Sequence, residues 1–174
     1  DLDKIEGVWY AVVPFSGIPG SAHTMLSFKF TDNNYIAISV EARKEISESY
    51  DPIDGLFNNY EIMYVISDER DVIKLRSNFR KDEVYLYPIR TTPQKARELF
   101  VSMLEEANSL KNEPRFYNTI VNACTSNIAK HINKVTPDLV PTLSKEIIFP
   151  ADSDKFAYEL GMLDTTLQYE EELR

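Results

Sequence analysis

The strong β signals of this chain all lie before residue 90, and its two clear helical patterns lie after residue 91. Such segregation restricts the fold to the α+β class, with a sheet on one side and helices packed on the other. Residues 7–14, GVWYAVVP, read as an entry strand closed by proline, and FSGIPGSA reads as a loop broken by glycine and proline. HTMLSFKF and YIAISVEAR, both rich in β-branched and aromatic residues, flank the turn sequence TDNN and predict a hairpin. Residues 44–59 form a polar excursion with a turn at Asp54-Gly55. YEIMYVI (60–66), DVIKLRS (71–77) and EVYLYPI (83–89) then read as three strands of an antiparallel meander.

The first helix follows Thr92, a good cap, with Pro93 suited to the first helical position. Ala96, Leu99, Phe100, Met103, Leu104, Ala107 and Leu110 recur at three- and four-residue steps and define one apolar face, which should end before Pro114. A second helix starts near Cys124, with Ile128, Ile132 and Val135 continuing its stripe until Pro137. A short strand KEIIF, a loop PADSD, a helical turn around KFAYELGML and an acidic tail over 164–174 complete the chain. One domain over 1–174 with a core at 8–163 is the expected organisation, since 174 residues can bury a core without a staple.

Composition excludes several functions. The net charge of −9 with scattered basic residues argues against nucleic-acid binding and against an electrostatic grip on anionic lipid. No apolar run approaches the roughly 20 residues that span a bilayer, and DLDKIEGVWY has neither the basic nor the apolar region of a signal peptide. DPIDG and ADSD lack EF-hand spacing, and the lone Cys and two His lack zinc spacing, so no metal or other cofactor is expected. Glycine-rich phosphate loops and Gly-x-Ser-x-Gly elbows are absent.

Attention therefore falls on Cys124. A cysteine at a helix N-terminus lies near unpaired backbone N–H groups and the positive end of the dipole, both of which favour thiolate. A nucleophilic thiol also needs a base. His131 is seven residues further along the same helix, about 10 Å away and out of reach, so its role is surface or packing. His23, at the start of the first hairpin strand, is the remaining candidate. With a turn centred on Asn33, His23 lies opposite Arg43, and Glu41 becomes a diagonal neighbour able to orient the imidazole. Each residue has a plainer reading: a buried filler thiol, a hydrogen-bonded strand-end histidine and an exposed Glu–Arg pair.

AHTMLSFKF, YIAISVEAR, DERDVIKLR, VYLYPI, FYNTIVNACTSNI and PADSDKFAYELGML, in this order, resemble the bacterial Lnb N-terminal periplasmic domain family over residues 8–163. The resemblance implies a papain-like thiol enzyme with permuted order, His before Cys, as in NlpC-type and lecithin–retinol acyltransferase relatives, with an antiparallel sheet packed against two main helices. It implies a role in lipoprotein N-acylation at the periplasm or the outer face of a bacterial envelope. By position, the family's histidine matches His23, its cysteine Cys124 and its acidic residue Glu41. Ser27, Arg43, Asn122 and Thr125 occupy adjoining motif positions and are expected to support the site or bind substrate. One departure stands beside the cysteine: Ala123 replaces the family's Asn, which lies one place earlier as Asn122.

The expected function is a Cys-His-Glu acyltransferase or hydrolase acting on lipid or lipoprotein esters, with an adjoining membrane-embedded part. The alternatives are a cysteine peptidase or amidase on cell-wall peptides, or a non-catalytic domain that binds a partner. An apolar channel beside Cys124 would favour lipid and a polar open groove would favour peptide.

Overall fold

In the computed structural model, residues 1–165 are described. Most of the expected acidic tail, residues 166–174, lies outside them. Five strands, β1 (Ile5–Pro14), β2 (Ala22–Phe30), β3 (Tyr35–Arg43), β4 (Glu61–Asp68) and β5 (Tyr85–Pro88), form one antiparallel sheet in the order β4-β3-β2-β1-β5. The architecture is α+β as expected, but the last strands are not a meander. β4 and β5 lie at opposite edges, because β5 pairs with β1 through Tyr10 opposite Tyr87.

Alternation along the strands gives each face its own cover. Val8, Tyr10 and Val12 of β1, Leu26 and Phe28 of β2, and Ile38 and Val40 of β3 share one core with two helices. These helices are α3 (Pro93–Ser109), which contributes Leu99, Phe100 and Met103, and α4 (Cys124–Val135), which contributes Ile128 and Ala129. Thr92 caps α3 by accepting the Lys95 N–H, and the helix ends at Ser109, well before Pro114. The opposite face carries Ala11, Val13 and Met25, and Val72 and Ile73 pack against them.

That second cover overturns one expectation. DVIKLRS is not a strand: α2 (Glu69–Lys74) runs into a π-helical stretch, Leu75–Arg80. A short apolar run does not distinguish strand from helix. Here Asp68 decides locally by accepting the Arg70 N–H as an N-cap, and burial of Val72 and Ile73 decides globally. Likewise KEIIF is a short helix, α5 (Lys145–Ile148), followed by α6 (Ser153–Glu159). Asp54 and Gly55 lie in α1 (Pro52–Leu56), capped by Asp51, rather than in a turn.

The hairpin register also differs from the expected one. Met25 lies opposite Ser39 and Lys29 opposite Tyr35, a shift of two residues that leaves every side chain on its expected face and brings Glu41 opposite His23. The cause is a three-residue loop, Thr31–Asn33. Asn33 takes a left-handed φ of 58°, the Asn33 N–H donates to Phe30 O, and Phe30 and Asn34 close the ladder.

His131 is buried and neutral rather than at the surface. Its Nδ1 bonds Ser102 Oγ of α3 at 2.8 Å, and its Nε2 bonds Tyr64 Oη of β4 at 2.9 Å. It therefore ties three elements together. Burial, reinforced by the Lys134 charge, pushes its pKa from 6.5 down to about 4. The unfolded chain thus takes up this proton first, so the site's contribution to stability is complete above about pH 6.5 and is lost as pH falls toward about 4. Between these limits wild-type unfolding free energy should fall more steeply than that of His131→Gln; parallel curves from denaturant titration would contradict this. Phe28, fully buried with its ring 5.0 Å from Phe100, tests the main core. Phe28→Ala should lower the unfolding free energy by about 3–5 kcal/mol, measured by the same titration.

Candidate functional site

The N-terminus of α4 is held by side chains of its own first turn. Ala123 is the extended cap residue, and Ser126 Oγ accepts its N–H at 2.8 Å. Asn127 Nδ2 donates to Ala123 O at 2.8 Å and to Asn122 Oδ1 at 3.0 Å. Upstream, Asn118 Nδ2 donates to Leu56 O and Thr119 Oγ1 donates to Pro52 O, pinning α1 to the loop that leads into the helix. Cys124, at the first helical position, is 5% exposed, and no acidic residue lies in that first turn to oppose a thiolate.

Opposite the thiol stands the beginning of β2. His23 is 6% exposed and stands close enough to Cys124 that the two groups shift each other's titration against the effect of burial. Its Nε2 is engaged on the far side, 2.6 Å from Ser39 Oγ and 3.1 Å from Glu41 Oε1. Nδ1 is therefore the ring nitrogen left for the sulfur. Ser39 Oγ donates onward to Glu41 Oε1 at 2.7 Å, and Arg76 Nη2 donates to the same oxygen at 3.1 Å. The order Cys124, His23, Ser39/Glu41, Arg76 thus runs from the helix across two strands to the π-helical stretch. Thr125 Oγ1 lies 3.7 Å from the sulfur and 2.9 Å from Thr24 Oγ1, tying α4 to β2.

Cys124, His23, Ser39, Glu41, Arg76 and Thr125 line a cleft of about 600 Å³. Apolar side chains make up much of its wall, among them Phe15, Ile18, Val40, Tyr50, Met63, Val65 and Phe149. Residues 1–155 match the family described as the Lnb N-terminal periplasmic domain. The chain belongs to that family. No curated protein and no solved structure matches it. Family membership places this Lnb domain in the periplasm; among its described residues no helix is long and apolar enough to cross a membrane.

Electrostatics in the Lnb domain follow from burial set against pairing. Burial alone would push the Cys124 thiol up, but the His23 charge and hydrogen bond, aided by the Thr24 backbone N–H and the Thr125 hydroxyl, bring it down to about 6. Burial alone would lower His23; the thiolate and Glu41 instead raise it to about 9. Glu41, which burial would raise, is held at about 2 by His23, Ser39 and Arg76. Between about pH 6 and 9 the arrangement is a thiolate–imidazolium pair backed by a carboxylate.

Of the sequence-expected residues, Cys124, His23, Glu41 and Thr125 meet at the cleft. Two others do not. Ser27 lies further along β2 and donates to Glu69 of α2, and Arg43 pairs with Glu61 and Glu45 at the surface. Asn122 is not in the cleft wall; its Nδ2 donates to Phe116 O at 2.7 Å, so it braces the loop before the helix. Ser39 and Arg76 went unnoticed in the sequence. Ser39 was detectable, since it lies two residues before Glu41 and so on the same face of β3. Arg76 was hidden by reading its segment as a strand.

Iodoacetamide labelling of Cys124 should rise through an apparent pKa of about 6. In His23→Ala it should rise only near the free thiol value of about 8.5 or above. Glu41→Gln should move the upper limb, where His23 loses its proton, down from about 9. Identical pH profiles in all three proteins would contradict the pairing.

Proposed function

We propose that this domain is a cell-envelope thiol acyltransferase with a papain-like arrangement of nucleophile and base. The observation that carries the reading is the placing of Cys124, His23 and Glu41 side by side, with mutually shifted titration, at the wall of one cleft. The thiolate attacks an ester carbonyl, and the first-turn N–H groups of α4, Cys124 N–H among them, stabilise the oxyanion. Collapse of the tetrahedral intermediate expels the alcohol, which takes its proton from the His23 imidazolium, leaving a Cys124 thioester and neutral imidazole. An amine then attacks the thioester, His23 accepts its proton, and amide and thiolate separate. Glu41 stabilises the imidazolium and, with Ser39, holds the ring with Nδ1 toward sulfur.

The apolar side chains of the wall, Phe15, Ile18, Met63, Val65 and Phe149 among them, favour a lipid ester, whose acyl chain they can cover, over a cell-wall peptide. The resemblance to a family associated with lipoprotein N-acylation points to a lipoprotein amine as acceptor. Incubation with a short-chain diacylglycerol ester followed by peptide mass analysis tests the reading. The Cys124 peptide should carry one acyl group, released by hydroxylamine. His23→Ala should slow its formation by about 10²–10⁴-fold. A folded protein whose thiol labels readily with iodoacetamide but never acquires an acyl group would contradict the proposal.

A further inference from the structure

The chain carries a net charge of −9, yet the cleft departs from that balance. Its ionisable lining comprises Lys44, Arg76, Arg80 and His23 against Glu41, Asp71 and Cys124. Glu41 is already committed to His23 and Arg76, and the thiol to His23. Lys44 and Arg80 have no ion-pair partner among the described residues. Arg76 is 6% exposed, and its Nε is buried without a hydrogen-bond partner, an uncommon condition for a guanidinium. Arg76 and Arg80 lie close enough for their charges to repel. Phe15, Ile18 and Phe149 of the cleft wall are solvent-exposed. Unspent cations and uncovered apolar side chains thus occur in one concavity, next to the thiol.

We propose that the cleft binds an anionic amphiphile, with the phosphate of a glycerophospholipid held by Lys44, Arg76 and Arg80 and its acyl chains along the apolar wall. A guanidinium pair suits a phosphate, whose oxygens accept several N–H bonds at once. The inference rests on the cleft being the acyl-donor site and names the donor class: an anionic phospholipid rather than a neutral ester. It also revises the expectation, drawn from overall charge, that anionic lipid is disfavoured. Overall charge averages over the surface, whereas a ligand meets the local field.

Binding is separable from chemistry in full-length Cys124→Ala, which cannot form a thioester. Monomeric dihexanoyl phosphatidylglycerol, the matching phosphatidylcholine and inorganic phosphate are titrated calorimetrically. Phosphatidylglycerol should bind about 10-fold more tightly than phosphatidylcholine, with an advantage that shrinks as salt is raised. Adding Lys44→Gln and Arg80→Gln should abolish that advantage, weakening phosphatidylglycerol about 10-fold more than phosphatidylcholine, whose phosphate meets the same residues but whose choline offsets its charge. Inorganic phosphate should bind more weakly than either lipid. Equal affinity for the two lipids, an advantage that survives the double substitution, or phosphate binding as tightly as phosphatidylglycerol would overturn the proposal. If it is overturned while a neutral ester still acylates Cys124 in the wild type, the acyltransferase reading stands without it. If phosphatidylglycerol binds as expected but no ester acylates the wild type, the lipid site stands and the acyltransferase reading falls.

Discussion

The contact between the Cys124 sulfur and the His23 imidazole is the interaction on which this structure turns. Each group is more than nine-tenths buried, and burial by itself would drive both to their neutral forms. Pairing reverses that outcome because each group is the largest opposing influence on the other, and in a poorly hydrated site that attraction exceeds the cost of leaving water. The carboxylate of Glu41 matters for the same reason. It gives the imidazolium a second anionic neighbour and is itself kept charged by Arg76. Removing any member leaves an uncompensated buried charge next to it.

The fold exists around that contact in a specific sense. β2 places His23 and Thr24 on opposite faces, so one strand end can offer an imidazole to the cleft and a hydroxyl to the helix. α4 enters through a turn braced by Ser126, Asn127 and Asn122, which aims the thiol without using an acidic cap that would oppose its charge. Further along the same helix, His131 locks α4 to α3 and β4 through Ser102 and Tyr64. The two histidines thus have opposite fates: one is raised by anionic partners, and the other is lowered by burial, reinforced by the Lys134 charge.

Much of this was legible from local signals. Thr92-Pro93 marks the start of α3, and the cysteine stripe marks α4, because capping and periodicity act within a few residues. His23 emerged by elimination, since two helical turns remove His131. The position of Glu41 was legible only to its face. Which residue it opposes depended on whether Asn33 adopts a left-handed conformation and shortens the loop, a choice the sequence TDNN leaves open. Arg76 was out of reach for a different reason. DVIKLRS becomes helical because its apolar residues cover Ala11, Val13 and Met25, and that cover depends on strands more than 40 residues earlier. Ser27 and Arg43 neighbour His23 and Glu41 in sequence, but the position along β2 and the strand end place them outside the cleft lining.

The most direct test is the titration of the His23 ring by nitrogen-15 NMR in the wild type and in Cys124→Ala. Pairing with a thiolate predicts that the wild-type ring stays protonated well above neutrality, titrating near pH 9, and that loss of the sulfur brings this value down. A ring that titrates near its ordinary value of about 6.5, or that titrates identically with and without the thiol, would contradict the account.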